Sequence, residues 1–292
     1  ADSTIRSFRS ASMKPILVFQ TDFTYKEGAV CAMYGVVKSV DRELEIMDGT
    51  HEIPQYDIWS ASYRLYQSMR FWPAGTIFVS VVDPGVGTER KPCVALTADG
   101  YTVVSPDNGS LTHLKQWVGI RQVREINQSV NRLGGKNTEG VSVFHGRDLF
   151  GYCAARLASG IITYEQVGPE YPVSEIVAFP ILEPALADGK VAGIFEINDP
   201  NFGNLWTNIP RELFAQAGFN YGDRLRTVIR HEGQVVFDQK VLFHQSFGYA
   251  QKDEPIIYNN ELMRIGLAVN QGSFCRQYRV DFGPDWQVEF ER

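Results

Sequence analysis

The chain has 292 residues, 44% of them hydrophobic and 21% charged, with a formal net charge of -6 at pH 7. This is enough apolar material for one large or two moderate cores, and it excludes a general nucleic-acid surface, which needs clustered Lys and Arg. No apolar run reaches the ~18 residues that span a bilayer, and Cys31, Cys93, Cys153 and Cys275 form no CxxC pair, so neither a membrane span, a zinc site nor a disulfide framework is expected.

Residues 1–14 are polar and lack the apolar centre of a signal peptide, with Met13 a candidate original start, so the expected location is the cytoplasm. Pro15 to Gln20 is a short apolar run ending at Thr21-Asp22, as a buried strand feeding a polar loop does. Gly28 to Val40 has helical spacing, Leu44 to Met47 reads as a strand, and Ile58 to Met69 as a helix with Trp59, Tyr63 and Tyr66 on one side. Thr76 to Val82 is β-branched and almost wholly apolar, which predicts a strand covered on both faces. Such alternation predicts an α/β domain with a mostly parallel sheet and functional loops at the strand ends.

The texture changes near Leu182. Val191 to Ile197, Leu225 to Ile229, Val235 to Phe243 and Ile256 to Tyr258 are short strand-like runs, with a turn at His231-Glu232-Gly233 and a single helical stretch at Arg211 to Ala217. These predict a smaller all-β, barrel-like domain. Pro, Glu and Asp-Gly between Pro180 and Gly189 mark the break, giving domains at 14–182 and 188–292.

Four segments are too polar and too glycine-rich for packing alone. In Thr21–Gly28, Asp22 at a strand end suits either a ribose diol or a helix cap. Asp83-Pro84-Gly85-Val86-Gly87-Thr88-Glu89-Arg90 follows the Thr76–Val82 strand. Its glycines allow a ligand close to the backbone, but no Gly-Lys-Ser/Thr follows, so a Walker phosphate loop fails. Asp83 and Arg90 are spaced to pair across the turn, as a structural ion pair or as part of a site. His145, at the start of a helix running through Leu157, reads as a cap or as an acid–base group beside Gly146 and the Arg147-Asp148 pair. No HxH or HExxH pattern supports a metal. In Asn198–Asn208, amides with Phe202 and Trp206 suit a planar heteroaromatic ligand, or form a polar loop with two core aromatics.

In chain order the sequence carries TDF, HEIPQYD, SVVDPGVGTERK, SPDNGSLT, VFHGRDLF and INDPNFGNLWTN. Together these resemble the S-adenosyl-L-methionine (SAM) hydroxide adenosyltransferase family, which also contains the bacterial fluorinase and chlorinase, from about Pro15 to Phe282. The resemblance implies an N-terminal α/β domain and a C-terminal β-barrel. It also implies a homotrimer holding SAM between one subunit's N-terminal domain and its neighbour's C-terminal domain. The implied activity is hydrolysis of SAM to adenosine and L-methionine by water at the ribose 5′ carbon, with no cofactor or metal.

By the same resemblance Asp83, Arg90 and His145 activate the water. Asp22 holds the ribose hydroxyls, Tyr56 lies beside the ribose, and Glu27 and Asp199 lie near the methionine amine. Phe202, Asn204 and Trp206 contact adenine and methionine. The halogenases lack the Asp-Arg-His set and carry Tyr where His145 stands, and the fluorinase also has an extra surface loop where Lys91 to Ser105 is short here, which argues against a halide-using enzyme. Thr24 replaces a commoner Gly, and Glu261 stands where the fluorinase has a serine on methionine. A non-catalytic SAM or adenosine sensor would not need the full Asp-Arg-His set, and a metal-dependent hydrolase would be sensitive to chelators.

Overall fold

The computed structural model describes residues 13–292. They form two compact units, the first ending at Ala178 and the second spanning Phe179–Arg292.

The first unit holds strands β1 (Leu17–Thr21), β2 (Ile46–Thr50), β3 (Ile77–Val81), β4 (Pro92–Thr97), β5 (Thr102–Pro106), β6 (Ile120–Glu125) and β7 (Glu170–Tyr171). Their order in the sheet is β2-β1-β3-β5-β4-β6-β7. The pairs β2–β1, β1–β3 and β3–β5 are parallel, and β5–β4, β4–β6 and β6–β7 are antiparallel. Every residue of β1 and β3 is buried, because helices cover both faces. Leu17, Phe19 and Val79 pack with Met33 and Val37 of helix Ala29–Val40 and with Phe150 and Cys153 beyond it. Val18 and Phe78 point the other way, onto Leu65 and Met69 of helix Ile58–Met69 and Leu114 of helix Thr112–Trp117. Alternate residues therefore feed two cores, and each fully buried Leu or Phe contributes roughly 1.5–3 kcal/mol.

The strand expected at Leu44 to Met47 lies later, at Ile46–Thr50. Leu44 is apolar because it is buried in the core, yet its N–H donates to Asp41 O in a turn. β2 is an edge strand whose middle residues are exposed, so no hydrophobic pattern marks it. The helix of Ile58–Met69 begins where Asp57 accepts from the Ser60 N–H, an N-cap that satisfies one of the free helix-start donors.

The second unit holds β8 (Ala185–Ala187), β9 (Lys190–Asn198), β10 (Leu205–Pro210), β11 (Arg224–His231), β12 (Gln234–Phe243), β13 (Pro255–Asn259), β14 (Arg264–Val269) and β15 (Trp286–Glu291). The ring runs β10-β14-β13-β12-β11-β15-β9 and closes through a β10–β9 pairing, with β8 added outside β9. Closure removes the free edges that an open sheet would expose. Phe195, Leu205, Phe214, Phe237, Leu267 and Phe290 belong to the apolar core of this unit. β11 and β12 join through Glu232-Gly233, both at positive φ (49° and 80°), the two-residue turn that matches strand twist. A short helix at Phe274–Tyr278, capped by Ser273, had no signal in the sequence pattern.

Candidate active site

The loop that leaves β1 is pinned from below. Thr21 Oγ1 accepts from the Phe23 N–H at 3.1 Å and lies 2.7 Å from His51 Nδ1, and the Thr24 N–H donates to His51 O at 2.8 Å. Asp22 is thereby presented at the strand end, where its Oδ2 accepts from the Tyr56 N–H at 2.9 Å. It caps no helix: the residue before helix Ala29–Val40 is Gly28, and Glu27 instead accepts from the Ala29 N–H at 2.9 Å. Asp22, Glu27, Tyr56 and Asp83 all line one cavity of about 270 Å³, walled also by Phe23 and Phe144.

The loop leaving β3 supplies the ion pair. Arg90 Nε donates to Asp83 Oδ1 at 2.9 Å and to Oδ2 at 3.1 Å, and Nη2 also donates to Oδ2. The same Nη2 donates to His145 Nδ1 at 2.9 Å. Both side chains of the pair are nearly buried, at 9% exposure for Arg90 and 5% for Asp83. Phe150 lies under the guanidinium, 5.3 Å from its centre, a cation–π contact that helps hold it flat. Gly87 is required here: its φ is +76°, and a Cβ would stand 2.9 Å from Ser142 O.

His145 precedes a helix whose first turn, Gly146–Gly151, is a wide π turn before the α-helix Tyr152–Ser159. Such turns recur at functional sites. The His145 side chain makes no capping hydrogen bond, so the cap reading of this residue is removed. Gly146 allows Phe23 and Phe144 to close in, since a Cβ there would meet each ring at 3.3 to 3.4 Å.

The hydrogen bonds fix the histidine's protonation. Arg90 has only donors, so Nδ1 must accept, and the ring proton of neutral His145 sits on Nε2. Burial first, then the Arg90 and Arg132 guanidinium groups, lower its pKa from the ordinary 6.5. Among the described residues, His145 Nε2 and Arg90 Nη1 are buried without a hydrogen-bond partner. Two buried donors, one of them on the Arg90 guanidinium, favour an anionic or strongly accepting oxygen.

In the second unit the β9–β10 loop is built around Asp199. Its Oδ1 accepts from the Asn201 N–H (2.9 Å) and the Phe202 N–H (3.2 Å), while its own N–H donates to Asn204 O at 2.8 Å. This throws Phe202 outward at 67% exposure. Phe202 and Asn204 line a cavity of about 690 Å³ with Phe247, Ser273 and Arg276. The last three come from segments with no motif, and sequence reasoning missed them. Trp206 lies off this wall: it is buried, and its Nε1–H donates to Tyr258 OH at 3.0 Å. Glu261 is exposed and lines neither cavity.

Among the described residues no group of three or more His, Cys, Asp or Glu is placed to hold a metal ion, and no helix is long and apolar enough to cross a membrane.

Known proteins carry the same two domains. Residues 17–168 match the SAM hydroxide adenosyltransferase N-terminal domain and residues 193–287 the C-terminal domain of the same name. An (R)-S-adenosyl-L-methionine hydrolase from Salinispora tropica is 35% identical over 88% of this chain and 91% of its own length. A fluorinase from an Actinoplanes species is 28% identical over 94% of this chain and 97% of its own. A crystal structure of an uncharacterized conserved protein from Thermotoga maritima superposes with a TM-score of 0.83 at 31% identity, covering 95% of this chain and all of that one (100%). With both domains matched in order around these two cavities, the chain belongs to the SAM hydroxide adenosyltransferase family.

Proposed function

We propose that this protein hydrolyses SAM to adenosine and L-methionine, an oxygen from water attacking the ribose 5′ carbon in line with the departing sulfur. The observation that carries this reading is the coupled Asp83–Arg90–His145 set at the mouth of β3. The hydrolase name of the relative at 35% identity supports it. SAM carries a sulfonium, so methionine leaves as a neutral thioether and needs no acid. The protein has to supply a nucleophile held in line.

On sequence alone, His145 and Asp83 are expected to orient the water and draw off its proton, with Arg90 fixing Asp83 as a carboxylate and favouring hydroxide, and the final proton acceptor is left open. The hydrogen bonds favour another division of labour. Both Asp83 oxygens are engaged by Arg90, and His145 Nδ1 is occupied. What remains is a donor, Nε2–H, next to a fixed cation. These stabilise hydroxide over water, so the bound water ionises more readily and its proton leaves to solvent. Asp83 keeps Arg90 flat and in place.

In this reading the free Oδ1 of Asp22 takes the ribose hydroxyls, Tyr56 lies along the sugar, and Glu27 faces the methionine amine. Phe202 stacks on adenine and Asn204 reads its edge. Asp199 and Trp206 serve by holding the β9–β10 loop and the strand behind it, and Glu261 is assigned no contact. The reaction asks for no cofactor or metal. We further propose a cyclic homotrimer in which two subunits complete each SAM site, working in the cytoplasm, where the four free thiols would persist.

Incubation with SAM followed by chromatography tests the reaction. Adenosine and methionine are expected in equal amounts, with label from water in the adenosine 5′ hydroxyl, and strong chelators should not slow it. 5′-Methylthioadenosine or S-adenosylhomocysteine as the main product would refute it.

A further inference from the structure

β3 and β4 are consecutive in the chain but not neighbours in the sheet, because β5 lies between them. The Asp83–Arg90 loop that joins them must therefore arch over the end of β5. The residues that leave β5, Asp107 and Asn108, meet both feet of that arch. Asn108 Nδ2 donates to Val82 O at 3.0 Å, one residue before Asp83. The Asp107 N–H donates to Lys91 O at 2.8 Å, one residue after Arg90.

Each clamp point is itself held. Asn108 Oδ1 accepts from the Ser110 hydroxyl at 2.6 Å and from the Ser110 N–H at 3.2 Å, which orients the amide so that its NH₂ faces Val82. Asp107 accepts from Tyr171 OH at 2.7 Å and from the Val177 N–H at 2.9 Å. Asn108 does not line the cavity of Asp22 and Asp83.

We infer that Asn108 is a positioning residue for the Asp83–Arg90–His145 set: its amide fixes the foot of the loop from which Asp83 engages Arg90. The inference rests on the reading of that set as the water-activating group. A side chain that touches no substrate but sets the nucleophile's geometry should act on turnover and not on SAM affinity. Misplacement on the scale of 1 Å costs on the order of 100-fold in rate.

The test uses Asn108→Asp, which keeps the shape and the Ser110 bonds but removes the donor to Val82, and Asn108→Ala, which removes both. Both should lower kcat by about 10- to 100-fold with KM for SAM changed less than about 3-fold. In an Asp83→Asn background, Asn108→Ala should cost little more, because the two act on one unit. An unchanged kcat for folded Asn108 variants overturns the inference, as does an effect on KM alone or a full additive loss in the double variant. If Asp83→Asn itself leaves kcat unchanged, the water-activating reading fails instead, so the two failures are separable. Ser110→Ala covers the case in which position 108 variants do not fold: it loosens the Asn108 amide and should lower kcat in the same direction. With the position 108 variants unfolded, normal turnover by folded Ser110→Ala would overturn the inference.

Discussion

Arg90 and His145 share one hydrogen bond, Nη2–H to Nδ1 at 2.9 Å, and that bond exists only while the imidazole is neutral. Protonating Nδ1 would set N–H against N–H beside a guanidinium. Burial, Arg90 and Arg132 all push the His145 pKa below 6.5. The acid limb of kcat should therefore lie below pH 6.5, with activity lost as pH falls through the lowered pKa. Stability follows the same sign. Between the folded-state pKa and 6.5 the unfolded chain binds more protons, so the stability held by neutral His145 is present above that window and is lost as pH falls through it. Titration of the His145 ring by NMR checks this directly, and a pKa at or above 6.5 would contradict it.

The charged pair predicts its own mutational pattern. Asp83→Asn keeps the shape but turns an NH₂ toward a guanidinium that has only donors, and His145→Ala removes the Nε2 donor. Each should lower kcat by about 10²- to 10⁴-fold while SAM still binds. Asp83→Asn should also destabilise the fold, since leaving one partner of a buried pair uncompensated costs about 3–5 kcal/mol. Urea unfolding beside steady-state kinetics separates the two effects. Normal turnover in both variants would reduce the set to a structural ion pair.

What the sequence made legible follows from how many faces of an element are covered. β1 and β3 are buried on both sides, so their apolar runs stand out, and the polar loops that carry Asp22 and Asp83 begin where those runs end. β2 lies at an edge with exposed Met47, Asp48 and Gly49, and nothing in its pattern fixes a strand boundary. In the site, the spacing of Asp83 and Arg90 allows a pair and His145 has the residue type for acid–base work, but only the family resemblance joins the three into one set. The direction of the Arg90–His145 bond is not, because it depends on which ring nitrogen faces the guanidinium. Trp206 has the composition of a stacking aromatic, yet its bond to Tyr258 buries it in the unit. Ser273 and Arg276, about 70 residues away in the chain, reach the Phe202 cavity through the β10–β14 pairing, which no local pattern encodes.

Thr24 stands at φ +59°, a left-handed conformation that a β-branched residue adopts at a cost. It is held there by its N–H bond to His51 O, and its Oγ1 accepts from the Lys26 N–H at 3.2 Å. Glycine, the residue that the family resemblance implies at this position, adopts this φ without that cost. Thr24→Gly should raise stability by about 1 kcal/mol, the relieved strain outweighing the added freedom of the unfolded chain. A lower midpoint in chemical denaturation would mean that the Thr24 side chain contributes more than its backbone costs.

Assembly can be tested without a structure of the complex. A cyclic trimer with shared sites predicts that His145→Ala subunits mixed with Asn204→Ala subunits regain activity after exchange at SAM concentrations too low for either variant alone, because some sites then combine two intact halves. Sedimentation should give three chains per particle. Full activity in a monomer, or no recovery despite proven exchange, would exclude shared sites.

The last prediction concerns the Phe202 cavity, whose two walls touch at Gly203. Gly203 has φ +72°, and a Cβ there would lie 2.7 Å from Ser273 Cβ, too close for any rotamer of serine to relieve. Its carbonyl also accepts from the Cys275 N–H at 3.1 Å, so the β9–β10 loop is seated directly on the helix that starts after Ser273. Gly203→Ala has to push these walls apart, at a cost of about 1–3 kcal/mol in stability. The walls carry Phe202 and Asn204 on one side and Ser273 and Arg276 on the other, so the adenine contacts of the proposed site should loosen. KM for SAM should rise about 10-fold or more, whereas kcat at saturation should change little, because Asp83, Arg90 and His145 belong to the other unit. Ser273→Gly in the Gly203→Ala background removes the opposing Cβ and should recover part of the loss in KM. An unchanged KM in a Gly203→Ala protein of reduced stability would show that this cavity does not hold the substrate.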